Sequence, residues 1–173
     1  MDEMFRWCGN FNKPLDNWDV SSVETMEGMF KDCKDFNQSL NDWDVSSVEN
    51  MSEMFCGCEN FNQPLNAWNM SSVKDISSMF YGCKRFNQPL NGWDTSSITA
   101  MHKVFYDCHN FNQPLDSWDT SNVTSMSYMF ANCKRFNQNI DCWRIYNVKS
   151  VSNATSMFDG CDSLAKRPRW YPD

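Results

Sequence analysis

The sequence predicts a repeat solenoid in which each 25-residue coil supplies a short helix or helical turn and a short parallel strand. Three observations carry that prediction. Phe11, Phe36, Phe61, Phe86, Phe111 and Phe136 recur at a step of 25, and Trp18 to Trp143, Cys8 to Cys133 and Asn12 to Asn137 keep the same step. Val23, Met26, Phe30 and Cys33 fall at i, i+3, i+7 and i+10, which is one face of a helix. The Phe-Asn-Gln-Pro-Leu run that follows reads as extended chain with its Phe and Leu on one side. A fixed period of this size makes each repeat one supersecondary unit that cannot bury its apolar face alone, so neighbours stack.

Within a coil the helix is placed from about Val23 to Cys33. The Ser-Ser pair ahead of it offers an N-cap, and Ser21 with Glu24, or Ser46 with Glu49, fits a capping box. Lys34, Lys84, Arg85, Lys134 and Arg135 follow the stretch, where cations suit the negative end of a helix dipole. The strand is short or broken, because Pro14, Pro64, Pro89 and Pro114 each remove a ladder donor. Asp-x-Ser-Ser turns the chain into the next coil through side-chain-to-backbone hydrogen bonds. True helical arcs would curve the stack, since packed helices need about 8–10 Å and strands about 4.8 Å, whereas tighter turns would leave it straighter.

The repeat runs over residues 1–164 as six coils and a partial seventh, with three extra residues between Trp143 and Val151. Residues 165–173 read as a C-terminal cap or tail. The composition is 41% hydrophobic and 15% aromatic, which is not that of a disordered chain despite a net charge of −7. Residues 1–50 hold 11 acidic and 4 basic side chains, so the whole excess sits in the first two coils. No basic face offsets it, and nucleic-acid binding is disfavoured. No leader opens the chain ahead of the repeat, and no apolar run approaches about 18 residues, so no membrane insertion is expected. The location expected from this is a virion or the cell interior, with the cell surface as the alternative for a truncated chain.

The recurring residues read as structure. Ladder cysteines lie on the apolar face as small buried thiols, and their parallel Cβ vectors suit disulfides poorly. Cys56-Gly57-Cys58 is too short for a zinc loop and only His102 and His109 are present, so no metal and no cofactor is expected. The Asn column satisfies backbone groups at a bend, the Trp column is core, and the Asp column at 19, 44, 94 and 119 makes turns. No nucleophile, base and orienting group stand out, so no catalytic residue is assigned and the protein is read as not an enzyme. Variation is concentrated in exposed columns, among them Asp2, Glu27, Ser52, Ser77, His102 and Ser127. A second is Arg6, Lys31, Cys56, Tyr81, Tyr106 and Ala131. Tyr81, Tyr106 and Tyr128 are the contact candidates on the later coils. Met4, Phe5 and Trp7 are the candidates at the N-terminal end, where no earlier coil in the sequence covers the apolar edge.

The string Met-Phe-x-x-Cys-x-x-Phe-Asn-Gln-Pro-Leu-x-x-Trp-Asp resembles the BspA-like leucine-rich-repeat surface proteins. It stands in Met54-Phe55 with Phe61-Asn62-Gln63-Pro64-Leu65, and in Met129-Phe130 with Phe136-Asn137-Gln138. Within that family it looks most like the 25-residue Met-Phe/Phe-Asn-Gln branch. The resemblance implies a leucine-rich-repeat-like solenoid and carries over no catalytic residue. Such repeats occur in bacterial surface proteins, in protists and algae and in large DNA viruses, with roles in adhesion or with none assigned. The expected function is a non-enzymatic protein-binding or structural repeat protein, a component of a larger assembly such as a virion or protist particle. The alternative is a fragment of a cell-surface adhesin.

Overall fold

A computed structural model describes residues 1–147 and 154–171. The chain is a stack of coils, and it is not the helix-plus-strand, leucine-rich-repeat-like solenoid that the sequence predicts. Among the described residues there is no α-helix and no sheet; strand pairing is reduced to a row of isolated parallel bridges joining Thr25, Asn50, Asp75, Ala100 and Ser125. The far end of the three-residue insertion, including Val151, lies outside the described residues.

The stretch read as a helix is a series of tight turns. In the third coil Met54 N–H bonds to Met51 O (3.2 Å), Cys56 N–H to Glu53 O (3.0 Å) and Cys58 N–H to Phe55 O (2.9 Å). The intervening amides point out of the coil: those of Met51, Glu53, Phe55 and Gly57 donate to the carbonyls of Asp75, Ser77, Met79 and Tyr81 in the next coil at 2.7–3.0 Å. Local and inter-coil bonds therefore alternate residue by residue. An α-helix would direct all of these donors inward along one coil. Here half of them tie coils together.

This alternation requires the backbone to swing into the left-handed region twice per coil. Glu53 has φ 57° and Gly57 φ 75°, each at the third position of a turn with the φ pattern of type II. The same two positions recur as Glu3 and Trp7, Gly28 and Asp32, Ser78 and Gly82, Lys103 and Asp107, Tyr128 and Asn132. Each left-handed non-glycine residue costs roughly 1–2 kcal/mol, and the inter-coil bonds offset it. Turns of this kind also bring i, i+3, i+4 and i+7 to one side. Met51, Met54, Phe55 and Cys58 are therefore all fully buried, as a helix would have placed them.

The proposed capping boxes do not form. Ser21 N–H and Oγ–H both bond to Asp19 Oδ1 (3.1 and 2.7 Å), and Ser46 does the same with Asp44 (3.1 and 2.6 Å). With no helix there is no dipole for the trailing cations to meet; Lys84 instead pairs with Glu59 of the preceding coil at 2.9 Å. Nor does Phe-Asn-Gln-Pro-Leu pair as a strand. Its backbone reaches the neighbouring coil through side chains: Asn62 N–H donates to Asn37 Oδ1 and Asn87 N–H to Asn62 Oδ1, both at 2.9 Å.

The core is a set of stacked ring columns. Phe30, Phe55, Phe80, Phe105 and Phe130 lie 5.6–5.8 Å apart with interplanar angles of 9° or less. Each also packs on the second Phe of its own coil, as Phe55 does on Phe61 at 4.2 Å. The indole column runs from Trp68 through Trp93, Trp118 and Trp143 to Trp170 at 6.1–6.5 Å. Each indole N–H donates to a leucine or isoleucine carbonyl of the coil before, Trp68 to Leu40 at 2.8 Å and Trp170 to Ile140 at 2.9 Å. Met29, Phe30, Cys33, Phe36, Leu40, Trp43 and Val48 are all buried.

Because Phe61 is fully buried, stacked between Phe36 and Phe86 and packed on Phe55, Phe61→Ala should destabilise the protein by about 3–5 kcal/mol. Replacing the exposed Asp42 with Ala should change stability by no more than about 0.5 kcal/mol. Chemical denaturation of both variants against the parent checks this, and circular dichroism of the parent should lack the α-helical double minimum.

Candidate functional site

The turn series of each coil forms one face of the stack, and most of the residues that vary between coils stand on it. Tyr81 and Tyr106 are brought together there: their rings are parallel (2°) with centroids 4.7 Å apart. Tyr128 approaches Tyr106 at 6.5 Å and is tilted by 56°, and Lys103 Nζ lies 5.8 Å above the Tyr128 ring. Tyr128 is 38% exposed and the other two are half-buried. Partial burial, with the neighbouring Tyr106 second, raises the Tyr81 phenol above its ordinary range.

The three N-terminal candidates sit apart from these tyrosines, at the first coil. Met4 is 48% and Trp7 69% exposed, while Phe5 is half-buried on the stack, 5.5 Å from Phe30. The Trp7 indole donates to Asp32 Oδ2 at 3.0 Å and takes the Arg6 guanidinium over its ring at 4.5 Å. Among the described residues the carbonyls of Asp2, Met4 and Arg6 accept no backbone hydrogen bond. Their equivalents Ser77, Met79 and Tyr81 each accept one from the coil before.

Ser77 is placed differently from its sequence reading. It belongs to a column read as exposed, yet it is 3% exposed, beneath the turn face. Its neighbours Glu27, Glu53 and Asp75 line a depression of about 220 Å³, a grouping the linear sequence does not show because those carboxylates come from three coils. The only signal in the sequence was the run of small side chains, Gly28, Ser52, Ser77 and Ser78, on adjacent coils. A second cavity, of about 300 Å³, lies between Asn139 and the chain at Lys166 to Arg169, where Arg169 Nε faces Asp141 Oδ2 at 3.5 Å.

The recurrent polar residues are engaged in the fold. Cys58 Sγ donates to Phe30 O (3.0 Å), Cys83 to Phe55 O (3.1 Å) and Cys108 to Phe80 O (2.8 Å), each across one coil boundary. The nine cysteines are free thiols. Burial pushes Cys33 and Cys161 up to about 12 and raises Cys58, Cys83, Cys108 and Cys133 well above the usual thiol range. The hydrogen bonds from Ser21, Ser46, Ser96 and Ser121 hold Asp19, Asp44, Asp94 and Asp119 below the usual carboxylate range. His109 Nε2 meets Asp107 Oδ1 at 2.8 Å, and among the described residues no serine or cysteine is bonded to that imidazole. No group of three metal-ligating side chains is found among the described residues, and no described helix is long and apolar enough to cross a membrane.

This architecture defines a repeat protein built of stacked 25-residue coils, with its variable residues on the turn face and at the ends. Residues 1–91 and 64–170 match the family model described as "Mycoplasma protein of unknown function, DUF285", and the chain belongs to that family. The resemblance to a family of repeat surface proteins holds at that level. Comparison with curated proteins and with solved structures gives no match.

Two measurements follow from this chemistry. In the native protein a thiol reagent should titrate the exposed Cys8 and Cys142 quickly and the half-buried Cys56 and Cys161 more slowly, and should reach the five buried cysteines after unfolding. The depressed aspartates contribute stability that is present above the unfolded carboxylate range and is lost as pH falls through their folded values. The melting temperature should therefore hold from neutrality to about pH 5 and fall steadily below about pH 4.

Proposed function

We propose that the protein is a non-enzymatic binding protein of the Met-Phe/Phe-Asn-Gln repeat branch, working as a component of a larger assembly such as a virion or protist particle. The observation that carries this reading is the parallel Tyr81–Tyr106 pair with Tyr128 beside it. Tyr81 and Tyr106 stand in a column that other coils fill with Arg6, Lys31, Cys56 and Ala131, and Tyr128 in one that they fill with Glu3, Gly28, Glu53, Ser78 and Lys103, so the fold does not require them. Tyrosine supplies large contact area with little rotamer freedom to lose and is enriched at binding surfaces. The recurrent polar side chains are occupied by the fold: thiols on carbonyls, carboxamides on backbone amides, repeat aspartates on turn serines.

A protein partner is the proposed ligand, and nucleic acid is disfavoured by the net charge of −7. A second docking surface is proposed at the first coil, with Met4, Phe5 and Trp7 at its centre and Asp2 and Glu3 at its rim. A virion or intracellular location accompanies this reading. Membership in a family tied to surface repeats favours the second reading, part of a cell-surface adhesin.

Tyr81→Ser/Tyr106→Ser and Phe5→Asp test the two surfaces separately. The partner held by the parent chain in native material should be released by the variant whose surface it uses, while the melting temperature of the tyrosine variant stays near the parent's. Retention by both variants would remove the turn face and the first coil as contact surfaces. Turnover of any substrate by the parent protein would reject the non-enzymatic reading.

A further inference from the structure

The depression beside the tyrosine pair carries a ligand chemistry of its own. It is cut into the turn face because small side chains, Ser52, Ser77 and Ser78, meet there on successive coils, and it encloses about 220 Å³. Three carboxylates surround it. Asp75 uses Oδ1 to accept the Ser77 amide (2.7 Å), Glu27 uses Oε2 to accept Asn50 Nδ2 (3.1 Å), and Glu53 uses Oε2 to hold Lys31. In each case the other oxygen has no hydrogen-bond partner among the described residues. The cations nearby are committed: Lys31 to Glu53, and Lys103 to the Tyr128 ring. The depression is therefore anionic, with His102 at its margin.

A second observation is independent of the carboxylates. Ser77 is one of the lining residues, and its Oγ is buried with no hydrogen-bond partner among the described residues, although nearly every other buried side-chain polar atom of the described chain has one. Buried hydroxyls are normally paired, so an unpaired one in an anionic depression marks a place for a polar guest. The Tyr81–Tyr106 pair begins within one turn of it, since Tyr81 N–H bonds to Ser78 O at 3.1 Å. Along the column the neighbour of Tyr81 on the other side is Cys56, a smaller side chain.

We propose that this depression seats an arginine side chain from an extended, arginine-rich segment of a protein partner. Its guanidinium sits between the free oxygens of Glu27 and Asp75, Ser77 Oγ comes within its reach, and the neighbouring residues of the segment lie along Tyr81 and Tyr106. Guanidinium suits the place better than ammonium. It is planar, pairs with carboxylates through two N–H groups and stacks on aromatic faces. A divalent cation is disfavoured, because the three carboxylates and His102 line the depression without converging as a set that could hold a metal ion. The inference rests on the reading of the turn face as a protein-binding surface and specifies its ligand.

A labelled oligoarginine peptide and the full chain test it by fluorescence anisotropy at moderate salt. The peptide should bind the parent protein, and Glu27→Gln/Asp75→Asn should weaken binding by about tenfold or more. Both substitutions keep the acceptor oxygens the fold uses, so the melting temperature should stay near the parent's. Asp16→Asn/Asp42→Asn removes the same charge from exposed positions away from the depression and should leave the affinity within about twofold. An oligolysine peptide of equal length should bind more weakly than oligoarginine. Equal weakening by the two double variants, equal binding of the two peptides, or no binding to the parent each overturns the proposal. In any of these cases, loss of the native partner by Tyr81→Ser/Tyr106→Ser would leave the turn face standing as a protein-binding surface with a different ligand.

Discussion

The whole structure depends on where alternate backbone amides of the turn series point. Because Met51, Glu53, Phe55 and Gly57 donate to the next coil while Met54, Cys56 and Cys58 bond within their own, neighbouring coils are held in fixed register over four residues. That register aligns every ring column. Phe30 meets Phe55, and Phe55 meets Phe80, with almost no change of angle. The left-handed residues are the local strain that makes the alternation possible, and the continuous core repays it through burial of complete phenylalanine and methionine side chains.

On the opposite walls the same problem of unpaired backbone is met by side chains. Proline and the bend of Phe-Asn-Gln-Pro-Leu remove a regular ladder, and the carboxamide of each repeat asparagine accepts the amide of the next. The tryptophan indoles and the cysteine thiols bind carbonyls across the coil boundary in the same manner. The repeat Asn, Trp and Cys columns are thus pieces of the inter-coil hydrogen bonding, while the repeat Asp column ties down the turn of its own coil. Gly57 shows how close the packing is: a Cβ there would meet Asp32 Oδ1 as well as face a φ of 75°.

The candidate surfaces lie outside those columns. The first coil leaves Met4 and Trp7 exposed over an acidic rim, and the turn face assembles rings and carboxylates contributed by different coils. The tyrosines could be named from the sequence because their two columns are otherwise filled by unlike residues. The acidic depression could not, because Glu27, Glu53 and Asp75 are separated by more than twenty residues each and converge only through stacking. Ser77 was misplaced for a related reason. Its column is polar throughout, but next to the buried Ser78 it has become part of the interior.

The sequence by itself determined the 25-residue period, the stacking of coils, the identity of the core and the structural use of the asparagine, aspartate, tryptophan and cysteine columns. Periodicity reports which side chains are buried, and burial was read correctly at Met54, Phe55, Cys58 and Phe61. Only the tertiary structure decided the backbone that presents them. Serial turns and an α-helix place the same i, i+3, i+4 and i+7 residues on one side, so the apolar pattern cannot separate them. The residues that adopt positive φ could not either, since Glu53, Ser78, Lys103 and Tyr128 carry no local preference for it. They are held there by amide–carbonyl bonds to a coil 25 residues away, an interaction that exists only once the coils have stacked.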